Sequence, residues 1–141
     1  MKLNTYLHFK DNCREAFQLY ARVLGGKLEN LITYGESPMA KETPKALLDK
    51  VMHVRLVVGD QILMGSDSPP DHYHPLAGFS VNIATSSAAE AERIFKALSE
   101  GGTVRMPIQK TFWADRFGMF VDRFGTPWMV NYDRAEMEKA A

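Results

Sequence analysis

The chain has 141 residues, of which 45% are hydrophobic, and its 17 basic and 17 acidic side chains give a formal net charge of zero. This size and composition predict one packed domain and exclude extensive disorder, and the dispersed Lys and Arg residues argue against a nucleic-acid partner. Cys13 is the only cysteine, no apolar run approaches 18 residues and the start carries no signal peptide, so we predict a cytoplasmic protein without membrane association.

The first half of the chain predicts a strand, a helix and three further strands. Alternating apolar residues indicate the first strand, Asn12 and Glu15 have capping-box spacing before a helical stripe, and Gly25-Gly26 ends the helix. A polar insertion, with a short helical turn at 44–49, precedes a hairpin around Gly59-Asp60. The predicted segments are strand 2–9, helix 13–24, strand 27–34, insertion 36–50, and strands 51–58 and 61–66.

The second half repeats this order. Ser87 and Glu90 have the spacing of a helix cap, and Gly101-Gly102 supplies the stop. The predicted segments are strand 79–84, helix 88–98, strand 103–109, strands 111–122 and 127–132 around Phe124-Gly125-Thr126, and a C-terminal helix at 133–141.

The spacing of the glycines supports a duplication. Gly25 and Gly101 are 76 residues apart, whereas Gly59 and Gly125 are 66 apart, and the difference of ten falls where the polar insertion lies. We therefore predict an α+β domain of two βαβββ modules that form a curved eight-stranded mixed sheet, with the helices on its convex side. Module 1 is expected over about 1–67 and module 2 over about 78–132, joined by a linker at 68–77.

Four motifs give the chain a family resemblance. They are Tyr6-Leu-His-Phe, Ala16-Phe-x-x-Tyr20 with Leu24-Gly-Gly, Met64-Gly-Ser-Asp67, and the aromatic-rich stretch from Thr111-Phe-Trp to Asn131. Together they resemble PhnB-like proteins of the vicinal-oxygen-chelate superfamily, which includes glyoxalases and bleomycin-resistance proteins. The resemblance implies a concave active surface, usual pairing of subunits as a homodimer, and, in metal-dependent members, a divalent ion held by His, Gln or Glu side chains. It also permits a role related to phosphonates.

The family metal is not expected in this chain. By alignment, the positions that hold the ion fall at Asn4, Met64, Phe79 and Met129. Three of these four side chains cannot ligate a hard divalent cation, and a shift of one residue in either hairpin supplies no carboxylate or imidazole. We therefore predict a metal-independent protein without a cofactor that binds a small organic ligand on an aromatic and Met-lined surface. The predicted ligand-binding residues are Asn4, Tyr6, His8, Tyr34, Met64, Trp113, Phe117, Met129 and Asn131.

An enzyme of the same fold is the alternative, for example a lyase, isomerase or dioxygenase with atypical metal ligands. His8, His53 and Asp115 are its weak catalytic candidates, and structural roles compete with each of them. We reject the hypothesis of a methyltransferase. A nucleotide-type cofactor needs a Gly-rich turn between a strand and a helix, whereas Gly25-Gly26 and Gly101-Gly102 follow helices.

Overall fold

The computed structural model describes residues 1–133, which contain two α-helices and eight β-strands. The helix predicted over 133–141 lies outside these residues, apart from Asp133, which ends the last strand. The elements are β1 Thr5–Phe9, α1 Cys13–Leu24, β2 Lys27–Thr33, β3 Val51–Val58, β4 Gln61–Asp67, β5 Val81–Ala84, α2 Ala88–Ser99, β6 Thr103–Gln109, β7 Ala114–Val121 and β8 Pro127–Asp133. Short 3₁₀ turns occupy Tyr34–Glu36, Ala40–Glu42, Lys45–Leu47 and Pro70–His72.

The chain divides into two compact units, the first over Met1–Pro75 and the second from Leu76 onward. Each unit holds one four-stranded sheet, with the strand orders β1-β4-β3-β2 and β5-β8-β7-β6. In each sheet the first pair of strands is parallel and the other two pairs are antiparallel. The predicted α+β class with two βαβββ modules is therefore confirmed, with the eight strands distributed over two mixed sheets.

In the first unit, α1 covers one face of its sheet. The apolar stripe of the helix includes Phe17 and Tyr20, which are fully buried, as are Leu7 on β1 and Leu56 on β3. At Gly65 on β4 the helix comes so close that an added Cβ would lie 2.6 Å from Cε1 of Phe17. Because side chains alternate along a strand, the neighbouring residues of β1, β3 and β4 project from the other face, here called the helix-free face.

The second unit repeats this packing. The Phe95 ring of α2 meets the Phe120 ring of β7 edge to face, with centroids 5.0 Å apart. An added Cβ at Gly118 would lie 2.5 Å from the Phe95 ring, so this glycine is required by close helix–sheet packing. Trp128 and Val130 of β8 are buried on the same side.

Three predicted details are wrong. Asn12 precedes α1 but its side chain makes no capping hydrogen bond; the backbone N–H of Cys13 instead donates to Oδ1 of Asp67, 3.0 Å away. Strand β5 begins at Val81 rather than Phe79, and Gly78, three residues ahead of the strand, has a φ of 82°. Strand β7 begins at Ala114 rather than residue 111, after a turn in which the Thr111 backbone N–H donates to the Ala114 carbonyl and the Ala114 N–H donates to the Thr111 hydroxyl.

Candidate ligand-binding surfaces

The first candidate surface lies on the helix-free face of the first sheet. Tyr6 pairs in register with Met64, and Met64 pairs with Arg55, so these three side chains form one row across β1, β4 and β3. His8 pairs with Ser66 in the next row of the same face. We define the first surface as Tyr6, His8, His53, Arg55, Met64 and Ser66.

Hydrogen bonds and ring contacts tie the aromatic residues of the first surface together. The Tyr6 hydroxyl lies 3.1 Å from Nδ1 of His53, and the two rings stack with centroids 5.7 Å apart. The His8 ring centroid is 5.1 Å from that of Tyr6, and Nδ1 of His8 lies 3.5 Å from the hydroxyl of Ser68. The structure thus adds His53 to Tyr6 and His8, which alternation along β1 already predicts on one face.

The second candidate surface lies on the helix-free face of the second sheet and is rich in methionine. Met129 of β8 pairs with Asn82 on one side and Met119 on the other, and Met119 pairs with Met106. In the next row, Asn131 pairs with Phe117. The Trp113 ring meets the Phe117 ring edge to face at 5.3 Å. We define the second surface as Asn82, Met106, Trp113, Phe117, Met119, Met129 and Asn131.

Asn131 offers this surface a buried hydrogen-bond acceptor. Its amide Nδ2 donates to Oδ1 of Asp133 at 2.8 Å. An ionised carboxylate only accepts hydrogen bonds, so this contact fixes the amide with Nδ2 toward Asp133 and Oδ1 pointing elsewhere. The side chain is 9% exposed, and its Oδ1 is buried without a hydrogen-bond partner among residues 1–133. Such an oxygen favours the binding of a donor.

The side chains at the family's metal positions do not fit a divalent ion. The neighbour of Met64 on β1 is Tyr6, and that of Met129 on β5 is Asn82, so each sheet presents a thioether beside a phenol or an amide. Thioethers suit soft metals rather than hard divalent cations. Of the other two predicted positions, Phe79 lies outside β5 and is 42% exposed, and Asn4 lies exposed ahead of β1. Within the described part of the chain no group of three His, Cys, Asp or Glu side chains could hold a metal ion.

The remaining predicted site residues lie outside these two surfaces. Asn4 is exposed ahead of β1. The Tyr34 hydroxyl donates to the backbone carbonyl of Asp67 at 2.7 Å, and burial, followed by the nearby Asp67 charge, raises the pKa of Tyr34. Asp115 lies on β7, where its backbone carbonyl accepts from the Arg116 guanidinium.

Cys13 has the character of a structural residue. Its side chain is fully buried in the stripe of α1. Burial, followed by the charge of Asp67, raises the pKa of the thiol well above its usual range. The thiol therefore stays neutral and is a poor nucleophile.

Sequence reasoning missed Asn82, Met106 and Met119, which complete the methionine row. No local pattern marks them, because only the register between strands brings them beside Met129. The structure also distinguishes two arginines: Arg116 forms an ion pair with Glu92 of α2 at 2.8 Å, whereas Arg55 lies on the first surface.

Comparisons with known proteins agree with this fold. A family model described as 3-demethylubiquinone-9 3-methyltransferase matches residues 1–131. Protein YjdN of Escherichia coli (strain K12) is 33% identical over 139 residues, which cover 93% of this chain and 95% of that protein. The chain belongs to this PhnB-like family, and its fold is that of solved glyoxalase/bleomycin-resistance proteins.

Solved structures give the same result. Protein PA1353 from Pseudomonas aeruginosa is 50% identical with a TM-score of 0.87, over 94% of this chain and 98% of that one. A PhnB protein from Bacillus cereus is 20% identical with a TM-score of 0.77, over 94% and 99%. At the level of the fold alone, a glyoxylase/bleomycin resistance protein/dioxygenase domain from Frankia is similar, with 13% identity and a TM-score of 0.66 over 96% and 93%.

The described residues contain no nucleotide-cofactor motif of the kind that the methyltransferase activity in the family's description would need. The turns that lead from a strand into α1 and α2 contain no glycine. Gly25 ends α1 in the left-handed conformation, and Gly101 follows α2 with a φ of 77°. Both glycines stand at helix ends, where they cannot cradle the phosphates of a nucleotide at a helix start.

Proposed function

We propose that the protein binds a small, partly aromatic organic molecule on the second surface without a metal ion. The observation that carries this proposal is the placement of Met129 and Met64 at the centre of the two helix-free faces, where metal-dependent relatives are expected to present ligands. Methionine side chains are flexible and polarisable, so a row of them adapts to the shape of an apolar ligand.

The residues around the methionine row support an uncharged, ring-containing ligand. Trp113 and Phe117 supply aromatic faces and edges, which favour offset or edge-to-face contact with a second ring. The Oδ1 atom of Asn131 supplies one directional acceptor for a hydroxyl or amine of the ligand.

The two tryptophans of the chain provide a matched test. Trp113 lies on the second surface, whereas Trp128 is buried on the opposite face, where its indole N–H donates to Asp122 at 2.8 Å. After treatment with a chelator, 4-nitrobenzyl alcohol should quench tryptophan fluorescence saturably. Trp113→Phe should lose this response and Trp128→Phe should retain it, with circular dichroism checking the fold of each variant. A response that needs an added divalent ion, or that survives Trp113→Phe unchanged, would contradict the proposal.

An enzyme with atypical ligands remains the second candidate, and the Tyr6–His53 hydrogen bond beside His8 is the observation that favours it. A phenol and an imidazole in contact can pass a proton to or from a substrate. Metal analysis of the purified protein separates the two functions. A stoichiometric divalent ion that is lost in both His8→Ala and His53→Ala would favour the enzyme.

We also propose a homodimer in the cytoplasm. The second unit has exposed apolar side chains that a partner could cover, namely Phe112, 85% exposed, and Val104, 45% exposed. Sedimentation as a stable monomer at micromolar concentration would overturn the dimer. The cytoplasmic location is supported by the single cysteine. No helix within residues 1–133 is long and apolar enough to cross a bilayer.

A further inference from the structure

We propose that Arg55, with Tyr6 and His53, forms a binding site for a monoanionic carboxylate on the first surface. This site is independent of the ligand proposed for the second surface, since all its residues belong to the first unit.

Arg55 has no partner among the described residues. No hydrogen bond or ion pair engages its guanidinium, and its Nε is buried without an acceptor. Two other arginines differ: Arg116 pairs with Glu92, and Arg123 lies 4.7 Å over the Phe124 ring and donates to the carbonyl of Glu100. A buried donor on a charged group is costly to leave unsatisfied, so an incoming acceptor is favoured at this position.

Arg55 lies on the same face of the sheet as a second hydrogen-bond donor, His53. It lies inside β3, one strand from Met64 and two strands from Tyr6 in the same row. His53 lies two residues earlier on the same face, held through Nδ1 by the Tyr6 hydroxyl. When Tyr6 donates this hydrogen bond, His53 carries its proton on Nε2, which is then a second donor on the surface. A guanidinium and an imidazole N–H on one face match the two oxygens of a carboxylate.

The charge around Arg55 selects a monoanion over a dianion. Glu29 of β2 is directly opposite Arg55 in register, although no ion pair joins them. The single positive charge of Arg55 is thus partly offset at short range. A carboxylate with one negative charge is neutralised by the guanidinium, whereas a second charge on a phosphate would face the Glu29 carboxylate uncompensated.

The test follows the Arg55 Nε–H resonance by NMR in the full-length protein, which reports on this site alone and is assigned by its loss in Arg55→Lys. Benzoate should shift the resonance saturably, and benzyl alcohol, with the same ring and no charge, should not. Inorganic phosphate should bind more weakly than benzoate. In Arg55→Gln, where the ring resonances of His53 replace the lost Arg55 signal as the readout, the affinity for benzoate at this site should fall roughly tenfold, as expected for the loss of a charged hydrogen bond. In a protein that keeps Arg55, Glu29→Gln should raise the affinity of this site for benzoate.

The outcomes separate this proposal from the one for the second surface. An Arg55 resonance that benzoate leaves unmoved, or that phosphate moves at lower concentration than benzoate, would overturn the carboxylate site. 4-Nitrobenzyl alcohol that quenches Trp113 while leaving the Arg55 resonance in place would support the second surface only. The wild-type resonance decides the matter even where Arg55→Gln fails to fold.

Discussion

At the scale of single residues, two buried aspartates organise the ends of the elements that carry the candidate surfaces. Asp67 accepts from the backbone N–H groups of Cys13 and Val51, at 3.0 and 2.9 Å, and so joins the start of α1 to the start of β3. Asp122 accepts from the backbone N–H groups of Phe124 and Thr126 and from the indole of Trp128. The contacts of Asp122 are local to one hairpin, whereas those of Asp67 join residues far apart in the sequence.

Asp67→Asn should lower the free energy of unfolding by roughly 1–3 kcal/mol. The replacement amide has one acceptor oxygen, so it leaves one of the two backbone N–H groups without a partner and turns an NH₂ donor toward it. Urea denaturation measures the loss. Asp60→Asn is the matched control, because Asp60 is exposed in a hairpin turn and bonds only the Gln61 side chain. Equal losses in the two variants would contradict the role assigned to Asp67.

Cys13 should resist alkylation while the protein is folded. The raised pKa keeps the thiol protonated at pH 8, and complete burial blocks the reagent. Iodoacetamide should therefore modify Cys13 only after urea unfolds the chain, as followed by mass spectrometry. Rapid modification under native conditions would show that the α1 stripe opens readily or that the thiol is reactive.

At the scale of elements, the boundaries that local chemistry sets could be predicted, and those that tertiary contacts set could not. The Ser87 cap of α2 is present, with its hydroxyl oxygen accepting from the backbone N–H of Glu90 at 3.1 Å, because the cap and the amide lie within one turn. Asn12 has the same sequence signal, yet the side chain that accepts at the start of α1 is that of Asp67, 54 residues beyond Cys13. The short turn expected at 44–49 is found as a 3₁₀ turn at Lys45–Leu47.

Ser87→Ala should cost about 1 kcal/mol of stability, the usual value for a lost N-cap. Asn12→Ala should cost less, since the Asn12 side chain makes no cap and its Oδ1 is buried without a partner within residues 1–133. Denaturant midpoints of the two variants, measured side by side, check this order. A larger loss of stability for Asn12→Ala than for Ser87→Ala would contradict this order and favour the Asn12 cap that the sequence predicts.

The candidate site was less predictable than the elements. Alternation along β1 placed Tyr6 and His8 on one face, and the structure keeps them there. Tyr6 contacts His53 because β1 and β3 both lie beside β4. This β1-β4-β3 order differs from the order of the strands along the sequence. A single sequence gives strands and faces, but cross-strand partners require the topology.

At the scale of the whole molecule, duplication repeats one βαβββ plan and places a methionine at equivalent points of both sheets. Met64 lies beside a parallel-strand partner, Tyr6, just as Met129 lies beside Asn82. The flanking rows differ, since the first surface has imidazoles and Arg55 and the second has methionines and aromatic rings. The two modules thus share a fold while offering different chemistry to a ligand.

The most direct test of metal-independent binding is an NMR titration of protein carrying ¹³C-methyl methionine, after chelation, with 4-nitrobenzyl alcohol. The methyl signals of Met106, Met119 and Met129, assigned by single Met→Leu variants, should shift together and saturate, while exposed Met39 stays unchanged. Addition of Mn²⁺ should leave this titration unaltered. Shifts that appear only after the metal is added, or that spare all three methyl groups, would contradict the proposed binding surface.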